Sequence, residues 1–149
     1  MTEKELKEIF SSFINKKVLI IGDAMIDAYM WGEIERMSPE APVPVVEIEK
    51  NETRLGGAAN CALNIKSLGA EVILCAVIGN DNNGIKFEEL MNEANLSTKG
   101  ILISNHRKTT VKTRVISEGK HQLRTDDEDR HPIKIENQFL NNIDLLFKD

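Results

Sequence analysis

Two carboxylates follow the first apolar run, in Gly-Asp-Ala-Met-Ile-Asp at residues 22–27. If that run is a core strand, Asp23 and Asp27 lie just past its end, where open α/β sheets place their ligands. A carboxylate offers several acceptor sites, so Asp27 suits a cluster of hydroxyls such as a sugar presents. The plainer reading makes Asp23 a turn or cap residue and Asp27 a solvated loop acid. Further on, Gly56 and Gly57 stand before a small-residue segment containing Asn60. Paired glycines let backbone N–H groups approach a ligand at a helix start, where the dipole favours oxygen-rich or anionic groups. Asn60, one turn in, both donates and accepts. The stretch matches neither the Walker loop nor the dinucleotide fingerprint. Tight helix–sheet packing through Ala58, Ala59 and Ala62 explains the same glycines without any ligand.

A third constellation is cationic. Arg107, Lys108, Lys112 and Arg114 fall in RKTTVKTR, and period-two geometry puts Lys112 and Arg114 on one face with Thr110. That face can pair with a phosphate through charge-assisted bonds, or it protects an exposed strand edge from aggregation. Arg36, beside the rigid Ser-Pro-Glu-Ala-Pro loop, can swing toward an anion. Asp81 in GNDNNG reads as a capping residue of a strand-to-helix turn. His106, His121 and His131 lack metal-like spacing, and DDEDR at 126–130 reads as a solvated acidic turn. Cys61 and Cys75 sit in apolar sequence and read as buried free thiols, with no second ligand at zinc spacing.

These residues need elements to hold them. Leu6, Ile9, Phe10, Phe13 and Ile14 predict an amphipathic helix over 3–14. KVLIIG and EVILCAVIG read as buried strands. Helices follow at 58–68, stopped by Gly69, and around FEELMNEANL. The Ser-Pro and Ala-Pro steps exclude a long helix between 23 and 42. VPVVEIEK, bordered by proline, suits an edge or a small separate sheet. TTVKTRVIS and HQLRTD form an antiparallel hairpin across EGK, able to pair with VPVVEIEK. A last helix carries Ile135, Phe139, Ile143 and Leu146. The strand–helix rhythm predicts α/β architecture with a parallel sheet. With two strong core strands and no strand after the last helix, the chain reads as a fragment. A small complete domain capped by that helix is the alternative.

The net charge of −5 and the absence of a basic stripe argue against nucleic acid as a partner. No apolar run is long enough to cross a bilayer, and MTEKELKEIF is not a signal peptide, so the expected address is cytoplasmic.

Taken together, GDAMIDAYMWGEIERMSPEAPVPVV, GGAANCALNIKSLGAEV, IGND and RKTTVKTRVISEGKHQLRTDDE resemble the ribokinase-like (PfkB) carbohydrate kinases over about 17–129. Within that group they are similar to the heptose 7-phosphate kinases of lipopolysaccharide core synthesis. The resemblance implies transfer of the ATP γ-phosphate, with Mg²⁺, to O1 of D-glycero-β-D-manno-heptose 7-phosphate, on the way to ADP-heptose. A non-catalytic sugar-phosphate module, or a related sugar kinase with another substrate, is the alternative. The resemblance further implies that Asp27, Gly56, Gly57 and Asn60 form the sugar site. Lys112 and Arg114 would be the lid residues nearest substrate, and Arg36 or Arg107 would hold the 7-phosphate. Lid strands are expected at about 42–50 and 109–125, with dimer contact through the lid. On this reading 1–149 is the sugar-binding part of a truncated ribokinase-like fold whose ATP-binding half, with the catalytic residues, is absent. A fused adenylyltransferase domain is possible in the parent. The fragment alone is expected to be inactive.

Overall fold

Two apolar, β-branched runs set the core. The computed structural model describes residues 1–14, 16–134 and 136–146. In chain order its elements are α1 (Glu3–Ser11), β1 (Lys17–Ile21), β2 (Ala24–Met37), β3 (Pro44–Gly57), α2 (Ala58–Ser67), β4 (Glu71–Gly79), α3 (Asn82–Glu93), β5 (Ile101–Ser104), β6 (Val111–Ser117), β7 (Lys120–Asp127) and α4 (Glu136–Leu146). Ile135, expected in the stripe of the last helix, lies outside the described residues.

β1 and β4 pair in parallel, Val18 opposite Val72 and Ile21 opposite Cys75. β5 adds a third parallel strand, giving the order β1-β4-β5. The sequence reading stopped at two core strands because ILIS is too short to show a period. Val72, Leu74, Ala76 and Ile78 alternate along β4 and bury one face under α2 and α3. Ala59 and Ala62 of α2 and Phe87 and Met91 of α3 are fully enclosed there. Removing a ring such as that of Phe87 costs roughly 3–5 kcal/mol. Small alanines let α2 lie close to the sheet, and Gly69, at φ 95°, ends its turn. Over the opposite face, Phe139 of α4 borders Ile21 and Val77, and Leu146 borders Leu19 and Ile73. α1 is shorter than expected and buries no residue. Its start is fixed by a capping box between Thr2 and Glu5.

The second sheet is larger than the sequence suggested. Its order is β3-β2-β6-β7. β2 and β3 are antiparallel strands of 14 residues each, and β2 runs parallel to β6. The expected hairpin is present as β6 and β7, turning through Glu118 and Gly119, both at positive φ. VPVVEIEK does not pair with it, because β2 lies between. β2 escaped the sequence reading since both its faces are half covered. Ile26, Ala28 and Met30 alternate with Asp27, Tyr29 and Trp31, so no polar face marks the strand. Ile26 and Leu55 root this sheet in the core.

Cys75 is buried as expected, and its desolvated thiol is pushed above the usual range. Cys61 is exposed, which corrects the reading of both cysteines as buried. On α2 the neighbouring Ala62 takes the inward position, which turns Cys61 outward. Among the described residues, no helix is long and apolar enough to cross a membrane.

Candidate functional site

The cleft lies where β2 and β3 leave the core. On one side Ala24 and Ile26 are buried in the core. Alternation therefore turns Asp27 to the other side, toward the diglycine. Arg114 of β6 donates from Nη1 to Asp27 Oδ1 at 2.7 Å, both side chains being about four-fifths buried. A Cβ on Gly56 would stand 2.5 Å from Asp27 Oδ2 and 2.9 Å from Met25 Cγ. Glycine at 56 is thus what leaves room for the carboxylate. Gly57, at φ 59°, turns the chain into α2, whose first turn has no side-chain cap. Ala58 N donates to Asp23 O at 2.9 Å, closing the junction. Asn60 lies exposed on that uncapped first turn. Asp27, Gly56 and Arg114 therefore converge on one region, with Gly57 beside it, and Asn60 follows on the first turn of α2. The tight-packing reading of the small residues holds for Ala59 and Ala62, while Gly56 serves the carboxylate.

The basic hairpin is not a bare anion surface. Lys112 stands beside Asp27 in register and donates to Asp126 at 2.8 Å and Glu128 at 2.7 Å. Those acids hold the Lys112 ammonium above its usual range. Arg124, and then Lys112, hydrogen-bond Asp126 and hold its carboxyl at about 2. Lys108 pairs with Asp127 at 2.5 Å. The DDEDR stretch is accordingly no solvated turn: Asp126 and Asp127 end β7, and the run supplies the counter-charges of the hairpin.

The two remaining arginines separate. Arg107 lines a cavity of about 580 Å³ together with Asp23, Met25, Thr110, Lys112 and Glu128. That cavity sits at the root of β2, and Asp27, Gly56, Gly57 and Asn60 do not line it. Arg36 pairs with Val45 near the far end of the ribbon, roughly 30 Å of strand from Asp27. Within this chain it does not join the others.

Asp81 has a structural task. It caps α3 by accepting from Gly84 N at 2.7 Å, and its other oxygen accepts from Thr109 N at 2.8 Å. Thr109 is fully buried, and its hydroxyl accepts from Gly79 N at 2.9 Å. Burial alone would raise the Asp81 carboxyl, but the bonds from Thr109 and Gly84 outweigh it and hold the group below its usual range. These contacts clamp the root of β6 to the end of β4.

A further set was not read from the sequence. Lys50, Glu52 and Arg54 of β3 stand opposite Trp31, Tyr29 and Asp27. Tyr29 and Trp31 stack with ring centroids 5.5 Å apart, and Glu52 pairs with Lys50 and Arg54. Their alternating spacing up to Gly56 is the signal the sequence carries, and it is masked when the strand is read as ending at 50. Among the described residues no cluster of His, Cys, Asp and Glu could hold a metal ion.

Comparison with known proteins fits this architecture. The model of the pfkB family carbohydrate kinases matches residues 15–148. The chain is 48% identical over 118 residues to the bifunctional protein HldE of Helicobacter pylori (strain P12), covering 79% of this chain and 26% of that protein. It is 42% identical over 136 residues to the HldE of Pelobacter propionicus, covering 91% and 28%. The chain thus spans about a quarter of these relatives. Among solved structures, a carbohydrate kinase from Agrobacterium tumefaciens superposes with TM-score 0.57 at 27% identity, over 75% of this chain and 35% of that one. The nucleoside kinase of Methanocaldococcus jannaschii gives 0.57 at 20%, over 75% and 36%. The fold is ribokinase-like, with a parallel core sheet, crossover helices and a small mixed sheet as lid.

Proposed function

Because the chain belongs to the pfkB family of carbohydrate kinases, we propose that it is the sugar-binding part of a heptose 7-phosphate kinase. That enzyme transfers the γ-phosphate of ATP, with Mg²⁺, to O1 of D-glycero-β-D-manno-heptose 7-phosphate in the cytoplasm. The observation that carries the reading is the Asp27 carboxylate, fixed by Arg114 over the Cβ-free surface of Gly56. Asp27 accepts hydrogen bonds from ring hydroxyls. The Gly57–Ala58 junction lets the sugar approach the backbone, and Asn60 donates to and accepts from a neighbouring hydroxyl. Arg114 orients the acid, and Lys112 holds the hairpin beside it. Arg107 lines the neighbouring cavity at the root of β2, where it can meet an anionic group. The described residues do not by themselves form a Mg²⁺ site, so the roles given to them concern sugar binding alone.

The reading extends to partners. Val46, Ile48, Met30, Val115 and Leu123 share the lid face turned away from Asp27. Ile48 and Leu123 are exposed. A second copy covering this face gives the homodimer. The similarity to bifunctional relatives supports a fused adenylyltransferase domain in the parent protein.

Calorimetry with heptose 7-phosphate tests the site. Saturable heat that falls at least tenfold in affinity for Asp27→Asn is the expected result. Equal affinity in the variant, or no heat with the unaltered chain, would overturn the reading.

A further inference from the structure

We propose that Lys50 and Arg54, with the stacked Tyr29 and Trp31 rings, form the subsite that receives the phosphorylated tail of the sugar, an inference resting on the sugar-kinase reading above. Asp27, Tyr29 and Trp31 share one side of β2 by strand alternation, and Arg54, Glu52 and Lys50 stand opposite them in turn. The result is a strip leading outward from the sugar-binding acid. Its floor is aromatic: the rings lie within 15° of parallel. Its edge is cationic, with Arg54 at 5.1 Å from the Tyr29 centroid and Lys50 at 4.7 Å from that of Trp31.

Charge decides which cations are open to a phosphate. Lys112 already faces two acids and Arg114 faces Asp27. Lys50 and Arg54 share one acid, Glu52, which their hydrogen bonds keep ionised. Both are well exposed, at 65% and 58%, against 29% for Glu52. Arg54 engages Glu52 through Nε. Among the described residues, no hydrogen bond occupies its Nη groups. Lys50, Glu52 and Arg54 together thus carry one excess positive charge in a chain whose net charge is −5. A guanidinium with spare N–H groups is the group best shaped for a phosphate. Tyr29 is one strand repeat beyond Asp27, roughly 7 Å. That step matches the reach from a sugar ring to a phosphate on its terminal carbon. The stacked rings, each with one face turned to its neighbour, offer their apolar edges to the intervening C–H groups.

Trp31 is the only tryptophan in the chain, so its fluorescence reports on this strip while calorimetry gives affinity. The titrants are heptose 7-phosphate and the same heptose without phosphate. The expected result is a saturable Trp31 response to the phosphorylated sugar. Arg54→Gln and Lys50→Gln should each weaken that ligand by roughly 10- to 100-fold, the range for one charged hydrogen bond. Neither should change affinity for the unphosphorylated sugar, and Arg54→Lys should recover part of the loss. Arg54 is exposed, so folding of the variants is checked simply by unaltered circular dichroism. Equal weakening of both sugars, or binding indifferent to Arg54 and Lys50, overturns the subsite and leaves the kinase reading standing. Absence of binding by either sugar overturns both.

Discussion

Substituting Gly56 by alanine tests the packing on which Asp27, the acid proposed to bind the sugar, depends. The added methyl carbon would lie 2.5 Å from Asp27 Oδ2, 2.8 Å from its Cγ and 2.9 Å from Met25 Cγ. That is about 1 Å inside an optimal contact. Asp27 cannot retreat freely, because its other oxygen accepts the 2.7 Å bond from Arg114. Overpacking of this kind costs roughly 1–3 kcal/mol. Loss of the charged hydrogen bond adds about 1.5 kcal/mol, at the low end because the pair is one-fifth exposed. The expected fall in unfolding free energy is therefore about 2.5–4.5 kcal/mol, read by urea denaturation followed by circular dichroism. Sugar-phosphate affinity, read by calorimetry, should fall with it. Gly119→Ala is the comparison, since Gly119 has φ 70° and nothing within 4 Å of its added carbon. It should lose only about 1 kcal/mol, from backbone strain, with sugar affinity intact. A Gly56→Ala protein as stable as the unaltered one, with the same affinity, refutes the account of how Asp27 is held.

Three other outcomes follow from the geometry. Asp81→Asn keeps the α3 cap through its amide oxygen but turns an amide NH₂ on the Thr109 N–H, and should lower stability by about 1–3 kcal/mol at neutral pH, the cost of an unsatisfied buried donor. The folded-state pKa of Asp81 is depressed, so its contribution is complete above the unfolded value and fades as pH falls through the folded one. The gap between the two proteins in urea titrations should therefore narrow below roughly pH 4. Asp126 should titrate at about 2 in carboxyl NMR spectra, with Arg124→Gln moving it upward. Cys61 should react promptly with a thiol reagent in the native protein, whereas Cys75 reacts only on unfolding.

Much of this arrangement can be read from residue order, and the exceptions share a cause. EVILCAVIG forms a strand over its whole length because it is covered on both faces, so an apolar run alone specifies it. The diglycine and the helix behind it were legible because glycine and alanine report directly on close approach. β2 was not, since a strand half buried on each side shows no alternation. Losing β2 also hid the partner of VPVVEIEK and the whole Lys50, Glu52 and Arg54 edge. The acids of DDEDR were misjudged because charge runs are usually hydrated. These instead find Lys112 and Lys108 across the hairpin, a register that only folding creates, while Arg124 pairs with Asp126 two residues along β7 itself. Arg36 is close to the site if its segment is a loop; drawn out as a strand, it ends far away.

The clamp of Asp81 and Thr109 at the root of β6 gives the lid the mechanics of a lever. Long paired strands bend little, so a tilt concentrated near Asp23 displaces each residue in proportion to its distance from that fulcrum. A tilt of about 10° carries Asp27 roughly 2 Å and Trp31 roughly 4 Å. The same angular play at the base thus moves Trp31 about twice as far as Asp27, so the outer strip is the part of the lid whose position depends most on how firmly that clamp holds.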